Sequence, residues 1–216
     1  MKVCIFGSDG RTGREVVEYC LNEGHEIVAF VYSENAKNYL PKNPRIKIIK
    51  GDVLSATDVQ KSVKNCDAVI SVFGHIKGSD SRMQTKGIIN IIEAMKIEGI
   101  NRIISLTGTG VRIEGDTPSI FDIIGNWIIK IIDRDRIMDG IEHVEALKKS
   151  GLDWTILRVL KLSNGDINSD KNNLIPEYKL STHGPAEAFT SRKKVAKIMT
   201  DLLTSGKYSK QMPISS

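Results

Sequence analysis

The chain has 216 residues, enough for one full-sized core and for one domain rather than two. Hydrophobic residues at 40% and charged residues at 26% are the balance of an ordinary globular protein and exclude a fibrous or low-complexity chain. The net charge of +5 suits an anionic small ligand, but the basic residues are scattered, with no Lys/Arg block or interleaved aromatic stripe, so nucleic acid is not an expected partner.

In chain order, short β-branched runs alternate with longer helical patterns. KVCIF (2–6) is a compact apolar strand. From 11 to 23, Val16, Val17, Cys20 and Leu21 fall at helical spacing, and Gly24 ends the run. EIVAFVY (26–32) is a second strand and IKII (46–49) a third. Ser55 and Asp58 have capping-box spacing, which predicts a helix to about Lys64. AVISVF (68–73) is a fourth strand, followed by a helix from about Ser81 to Glu98 and its terminal Gly99; RIISLT (102–107) is a fifth. A helical stretch over 119–150, broken near Asp133, leads to a sixth strand, DWTILRV (153–159). A looser polar region over 163–190 precedes a last amphipathic helix, RKKVAKIMTDLL, which Gly206 closes.

Strands separated by helices of this length imply right-handed crossovers and a parallel sheet covered on both faces. The expected architecture is a single doubly wound α/β domain over 1–216, with 163–190 as a small substrate-side insert. Cys4, Cys20 and Cys66 form no CxxC pair and have no His at ligand spacing, so free thiols and no metal are expected. No signal-peptide pattern precedes the first strand, and the apolar segment 119–133 is interrupted by Asp122, Asn126 and Lys130. The expectation is a cytoplasmic protein with no membrane partner, a monomer or weak homodimer.

The stretch IFGSDGRTG (5–13) places Gly7, Gly10 and Gly13 directly behind the first strand. Glycine at such a junction lets the backbone turn tightly and approach a pyrophosphate, while the following helix aims free N–H groups at the anion. An acid at the end of the second strand would hold a ribose 2′-hydroxyl and an arginine a 2′-phosphate; this chain has Tyr32 and Ser33 there, and neither signal. Arg11, inside the loop with Asp9, either grips a 2′-phosphate, with Lys37 as a second cation, or is a solvated first-turn arginine. The cofactor expected is NADP, with NAD possible.

The spacing GxxGxxG, together with GDVLSATDV (51–59), CDAVISVFG (66–74), GIINIIEAMKIEGINRIISLTG (87–108), LKKSGLDWTILR (147–158) and FTSRKKVA (189–196), resembles the short-chain dehydrogenase/reductase superfamily. The match is to its atypical, NmrA-like branch, which includes the biliverdin and flavin reductases. The resemblance implies a Rossmann-like fold in which Gly7, Ser8, Gly10, Arg11, Thr12 and Gly13 wrap the cofactor's phosphates. It also implies that Asp52 and Val53 border the adenine and that Phe73 and Gly74 line the ribose side. Thr107, Val159, Leu160 and Lys161 would approach the nicotinamide. For Asp52 the alternative is that Gly51-Asp52 merely makes a turn.

Superfamily members acting on hydroxyls and carbonyls use a Tyr-x-x-x-Lys pair, but no tyrosine stands between the fourth and sixth strands, and the aligned positions read DGIE (139–142). Thr107-Gly108-Thr109 falls where the branch places serines, so Thr107 and Thr109 are the candidate catalytic hydroxyls, with a strand-end role for Thr107 as the alternative. His75 reads either as an acid at the site's mouth or as a surface residue, and Arg158 either orients an acidic substrate or packs against the cofactor loop. Trp127 with Ile123, Ile124 and Ile128 reads as a core or lid contact. Two functions stay open: an NAD(P)H-dependent reductase acting on a small flavin, quinone or similar conjugated acceptor, and a non-catalytic NADP(H)-binding sensor of NmrA type. An epimerase or dehydratase is disfavoured by the missing tyrosine.

Overall fold

The computed structural model describes residues 1–164 and 177–216, less the side chains of Lys37 and Ile132. Its parallel sheet starts from β1 (Lys2–Phe6), β2 (Glu26–Val31), β3 (Ile46–Lys50), β4 (Ala68–Ser71), β5 (Arg102–Gly108) and β6 (Asp153–Val159). These strands are buried on nearly every residue from β1 to β6 except β3, as strands covered on both faces must be. The helices are α1 (Arg11–Asn22), α2 (Ala56–Val63), α3 (Met83–Ile97), α4 (Ile120–Ile132), α5 (Arg134–Lys149) and α6 (Arg192–Ser205). A 3-10 helix (Glu34–Asn38) and four two-residue strands complete the described elements: β7 (Leu162–Ser163), β8 (Leu180–Ser181), β9 (Thr190–Ser191) and β10 (Ile214–Ser215).

The eight-stranded sheet runs β3-β2-β1-β4-β5-β6-β10-β8, parallel except for β10 against β8; β7 and β9 pair separately. Strand order reverses between β1 and β4, so the loops leaving those two strands diverge and open a crevice there. One face of the sheet is covered by α1 and α6, through Val16, Val17 and Leu21 with Val195, Met199 and Leu202. The other is covered by α2, α3 and α5, through Val59, Val63, Ile88, Met95, Val144 and Leu147.

The helix ends follow the sequence where a local signal exists. Gly24, Gly99 and Gly206 have φ of +84°, +71° and +63°, a region where a Cβ is strained, which is why the helices stop there. Ser55 caps α2 by accepting from the Asp58 N–H, but Asp58 bonds the Asp52 N–H instead of returning to Ser55, so the capping box is half formed. α3 starts two residues later than its sequence suggests because its cap is remote: the N–H groups of Gln84 and Thr85 donate to Asp139 on α5, both at 2.9 Å. Of the expected insert 163–190, residues 165–176 lie outside the described residues, and β8 joins the edge of the main sheet. Among the described residues no helix is long and apolar enough to cross a membrane.

Candidate active site

The glycine loop is shaped by contacts that forbid side chains. Gly7 turns with φ +82°, and a Cβ on it would stand 2.8 Å from the backbone of Phe73 beyond β4. A Cβ on Gly13 would stand 2.0 Å from the Gly7 carbonyl oxygen, so the first turn of α1 lies directly against the loop. The Gly10 N–H closes the turn onto Gly7 O at 3.0 Å, and Gly10 begins α1 with no side-chain cap. Ser8 is fully buried and donates its hydroxyl to Ile5 O at 2.7 Å, so it braces the loop from inside; Thr12 is also buried.

Asp9 crosses the crevice. Its Oδ2 accepts the backbone N–H groups of Tyr32 and Ser33, at 3.2 and 2.8 Å, just past the end of β2. Arg14 donates to the Asp9 carbonyl at 3.0 Å and lies over the Tyr39 ring at 4.0 Å. Arg11 is exposed at the start of α1, near Arg192 at the start of α6. Burial, and then the neighbouring Arg11 charge, lower the Arg192 guanidinium below its ordinary value. The Lys37 side chain lies outside the described residues.

A cavity of about 590 Å³ opens at the switch point, between the glycine loop and the ends of β2, β3 and β4. It brings together Gly7, Asp9 and Gly10 with Tyr32, Ser33, Asp52, Val53, Phe73 and Gly74, all expected from the sequence. Asp52 also makes a turn, its Oδ1 accepting the Leu54 N–H at 2.9 Å. Gly87 on α3 allows Val53 and Phe73 to lean in, since its Cβ would meet them at 2.8 and 2.9 Å. Sequence reasoning missed Leu54, Met83 and the loop from Ile76 to Asp80, which also line the cavity; that loop carries no motif. Ser8, Arg11, Thr12, Gly13, Val159 and Leu160 are not in its lining.

The ends of β5 and β6 form a second cluster. Thr107 is buried, and a Cβ on Gly140 of α5 would lie 3.6 Å from its Oγ1. Thr109 donates its hydroxyl to Asp122 Oδ1 at 2.6 Å, and the other carboxylate oxygen of Asp122 accepts from Arg112 at 2.8 Å. Thr109 is thus engaged in holding α4. Val159 is buried, its carbonyl accepting the Thr109 N–H; Leu160 is half-buried, and Lys161 is exposed with its ammonium 5.1 Å from the Phe189 ring centre.

His75 is anchored, not free at the mouth. Its Nδ1 lies 3.2 Å from Ser79 Oγ, and its Nε2 lies 2.8 Å from Asp139 Oδ2, off the axis of a hydrogen bond. Asp139 is completely buried. Arg158 corrects the substrate expectation. It is fully buried and holds Asp116 at 2.6 and 3.0 Å while donating to Met212 O and Thr182 O at 2.9 and 2.8 Å. Every face of the guanidinium is committed to the loops beyond β5 and β6, which leaves none for a substrate. Trp127, at 63% exposure, is not a core contact.

A glycine turn at the switch point of a doubly wound sheet, opening on a cavity beside the end of β2, defines a dinucleotide-binding α/β protein. The chain belongs to the NAD(P)H-binding family, whose model matches residues 7–206. A short-chain dehydrogenase/reductase of Veillonella parvula DSM 2008, solved in complex with NADP, superposes with a TM-score of 0.80 at 18% identity, over 100% of this chain and 94% of that one. An anaerobilin reductase of Escherichia coli O157:H7 superposes with a TM-score of 0.78 at 19% identity, over 100% and 96%. An uncharacterized chloroplastic protein of Arabidopsis thaliana is 24% identical over 215 residues, 94% of this chain and 71% of that protein. The fold is therefore the Rossmann-like fold of these short-chain dehydrogenase/reductase and reductase structures. The bare loop at Gly7 and Gly13, tight enough to exclude a Cβ, fits the phosphates of NAD(P).

Proposed function

We propose that the chain is an NAD(P)H-dependent reductase that passes hydride to a flavin, a quinone or a similar conjugated acceptor. One observation carries the reading: the helix facing Thr107 presents Gly140, and the chain has no tyrosine between Tyr39 and Tyr178. A carbonyl or hydroxyl substrate needs a proton donor at that place. A conjugated acceptor delocalises the incoming charge and takes its proton from solvent, so the protein's work is to position two flat rings.

When bound, the nicotinamide supplies the hydride. The glycine loop receives the phosphates, with the exposed guanidinium of Arg11 and the half-buried one of Arg192 adding positive potential beside the starts of α1 and α6. Asp52 and Val53 border the adenine, and Phe73 with Gly74 backs the adenosine ribose. Thr107, Val159 and Leu160 form the floor on the nicotinamide side, with Lys161 at the rim. His75, held between Ser79 and Asp139, fixes the loop that closes the cavity. An anaerobilin reductase stands among the structural neighbours, in keeping with a reductase.

A second reading, a non-catalytic NADP(H)-binding regulator, is favoured by one feature. α4 exposes Ile120, Phe121, Ile124, Trp127 and Ile131, each at least half exposed, and so large an apolar patch marks a contact surface. The test is NADPH and NADH oxidation by the purified protein with FMN, a short-chain quinone and a redox dye in parallel. Saturable turnover with one of them is expected. Clear nucleotide binding with no turnover on any of the three would overturn the reductase in favour of the regulator.

A further inference from the structure

The carboxylate of Asp9 stands where the adenosine ribose of a dinucleotide must be read. Discrimination between a 2′-hydroxyl and a 2′-phosphate is made at the end of the second strand, by an acid in one case and a cation in the other. Here β2 ends at Val31, and the next two residues, Tyr32 and Ser33, provide neither. What they do provide is a pair of backbone N–H groups, the kind of donors a phosphate would use. Asp9 Oδ2 already occupies both, at 3.2 and 2.8 Å. The acid that this position lacks in strand order is supplied from the glycine loop across the crevice.

Three further observations converge on that carboxylate. Asp9, Tyr32 and Ser33 all line the same cavity. The other oxygen, Oδ1, has no hydrogen bond among the described residues, so one acceptor is left over. No Lys or Arg among the described residues lies within ion-pair distance of it: Arg14 is tied to the Asp9 carbonyl and to Tyr39, and Lys50 pairs with Glu34. A fixed negative charge with no cation beside it among the described side chains, which do not include that of Lys37, repels a phosphate dianion and accepts from a hydroxyl.

We propose that Asp9 is the specificity-determining residue of the nucleotide site: it accepts from the adenosine ribose 2′-hydroxyl of NAD(H) and weakens the binding of the 2′-phosphorylated nucleotide. The proposal rests on the reading that the dinucleotide's adenosine half occupies this cavity. Arg11, which the sequence left open between gripping a 2′-phosphate and being a solvated first-turn arginine, is exposed and outside the cavity lining.

The experiment is a direct binding titration, by calorimetry, of NADH and NADPH into the wild-type protein, Asp9→Asn and Asp9→Ser. Asp9→Asn keeps an oxygen for the Tyr32 and Ser33 N–H groups and removes the charge; Asp9→Ser keeps a short polar group should the asparagine variant fail to fold. The expected result is that each folded variant shifts the NADPH-to-NADH affinity ratio toward NADPH by at least tenfold. Both nucleotides binding with a ratio unchanged from wild type overturns the role of Asp9 and leaves the cavity assignment standing. Neither nucleotide binding to the wild type overturns both.

Discussion

Thr109, at the end of β5, donates its hydroxyl to the buried carboxylate of Asp122 at 2.6 Å, and this contact turns α4 inside out. Asn126 donates to the same carboxylate at 2.6 Å and to Thr109 Oγ1 at 3.2 Å, and Arg112 closes the other side at 2.8 Å. The polar side of the helix therefore faces the protein and its isoleucines face outward. Substituting Asp122→Ala leaves these donors unpaired and is expected to cost about 1–3 kcal/mol, lowering Tm by roughly 3–10 °C. A thermal melt with no change would show that the network does not hold α4.

Trp127 gives the complementary prediction from the outer face. A buried tryptophan truncated to a small residue would cost about 3–5 kcal/mol. At 63% exposure, Trp127→Ser is expected to stay within about 0.5 kcal/mol of the wild type. Chemical denaturation measures this directly, and a large loss would mean that α4 is covered by the rest of the chain in solution.

Arg158 is predicted to act on stability and not on ligand affinity. Its pair with Asp116 is buried on both sides, at 0% and 5% side-chain exposure. Arg158→Met strands that carboxylate and is expected to destabilise by about 3–5 kcal/mol. The Arg158→Met/Asp116→Leu double variant, which removes both charges, should recover a good part of it. Where the single variant remains folded, its nucleotide affinity should stay within twofold of wild type; a larger loss would return Arg158 to the ligand site.

His143 sets a pH dependence. It is buried against Ser105, with Nε2 2.8 Å from the serine Oγ, and burial pushes its imidazole down to about 4 from 6.5. Protonation is easier in the unfolded chain, so this contribution to stability is complete above pH 6.5 and is lost as pH falls toward 4. The difference amounts to about 3 kcal/mol. Denaturation curves from pH 7 to pH 4 should fall more steeply for the wild type than for His143→Gln. Parallel curves would contradict the assignment.

The parts of the molecule with local causes were legible in the sequence. Strands buried on both faces show as apolar runs, helices stop at glycines with positive φ, and the bare glycine loop marks the tight turn from β1 into α1. Cavity residues at the ends of β1 to β4 follow from that topology. What was not legible depends on partners far apart in the chain. Asp139 caps α3 from 55 residues away, so neither the start of α3 nor the anchoring of His75 has a local signal. Arg158 meets Asp116 across 42 residues, which is why the sequence left it open between a substrate and the cofactor loop and named neither Asp116 nor any other true partner. β7 to β10 are two residues each, too short for any periodicity. The isoleucine stripe of α4 read as a core or lid contact because nothing in its spacing says which side the rest of the chain covers.

The most direct test of the account is steady-state oxidation of NADPH and NADH with FMN, a short-chain quinone and a redox dye, run side by side on the wild type and Gly13→Ala. The added methyl would stand 2.0 Å from the Gly7 carbonyl oxygen, so the glycine loop must open and lose its grip on the phosphates. Saturable turnover in the wild type and none in a folded Gly13→Ala variant is the predicted result. Equal rates in the two proteins, or a wild type that binds nucleotide and never turns over, would contradict it.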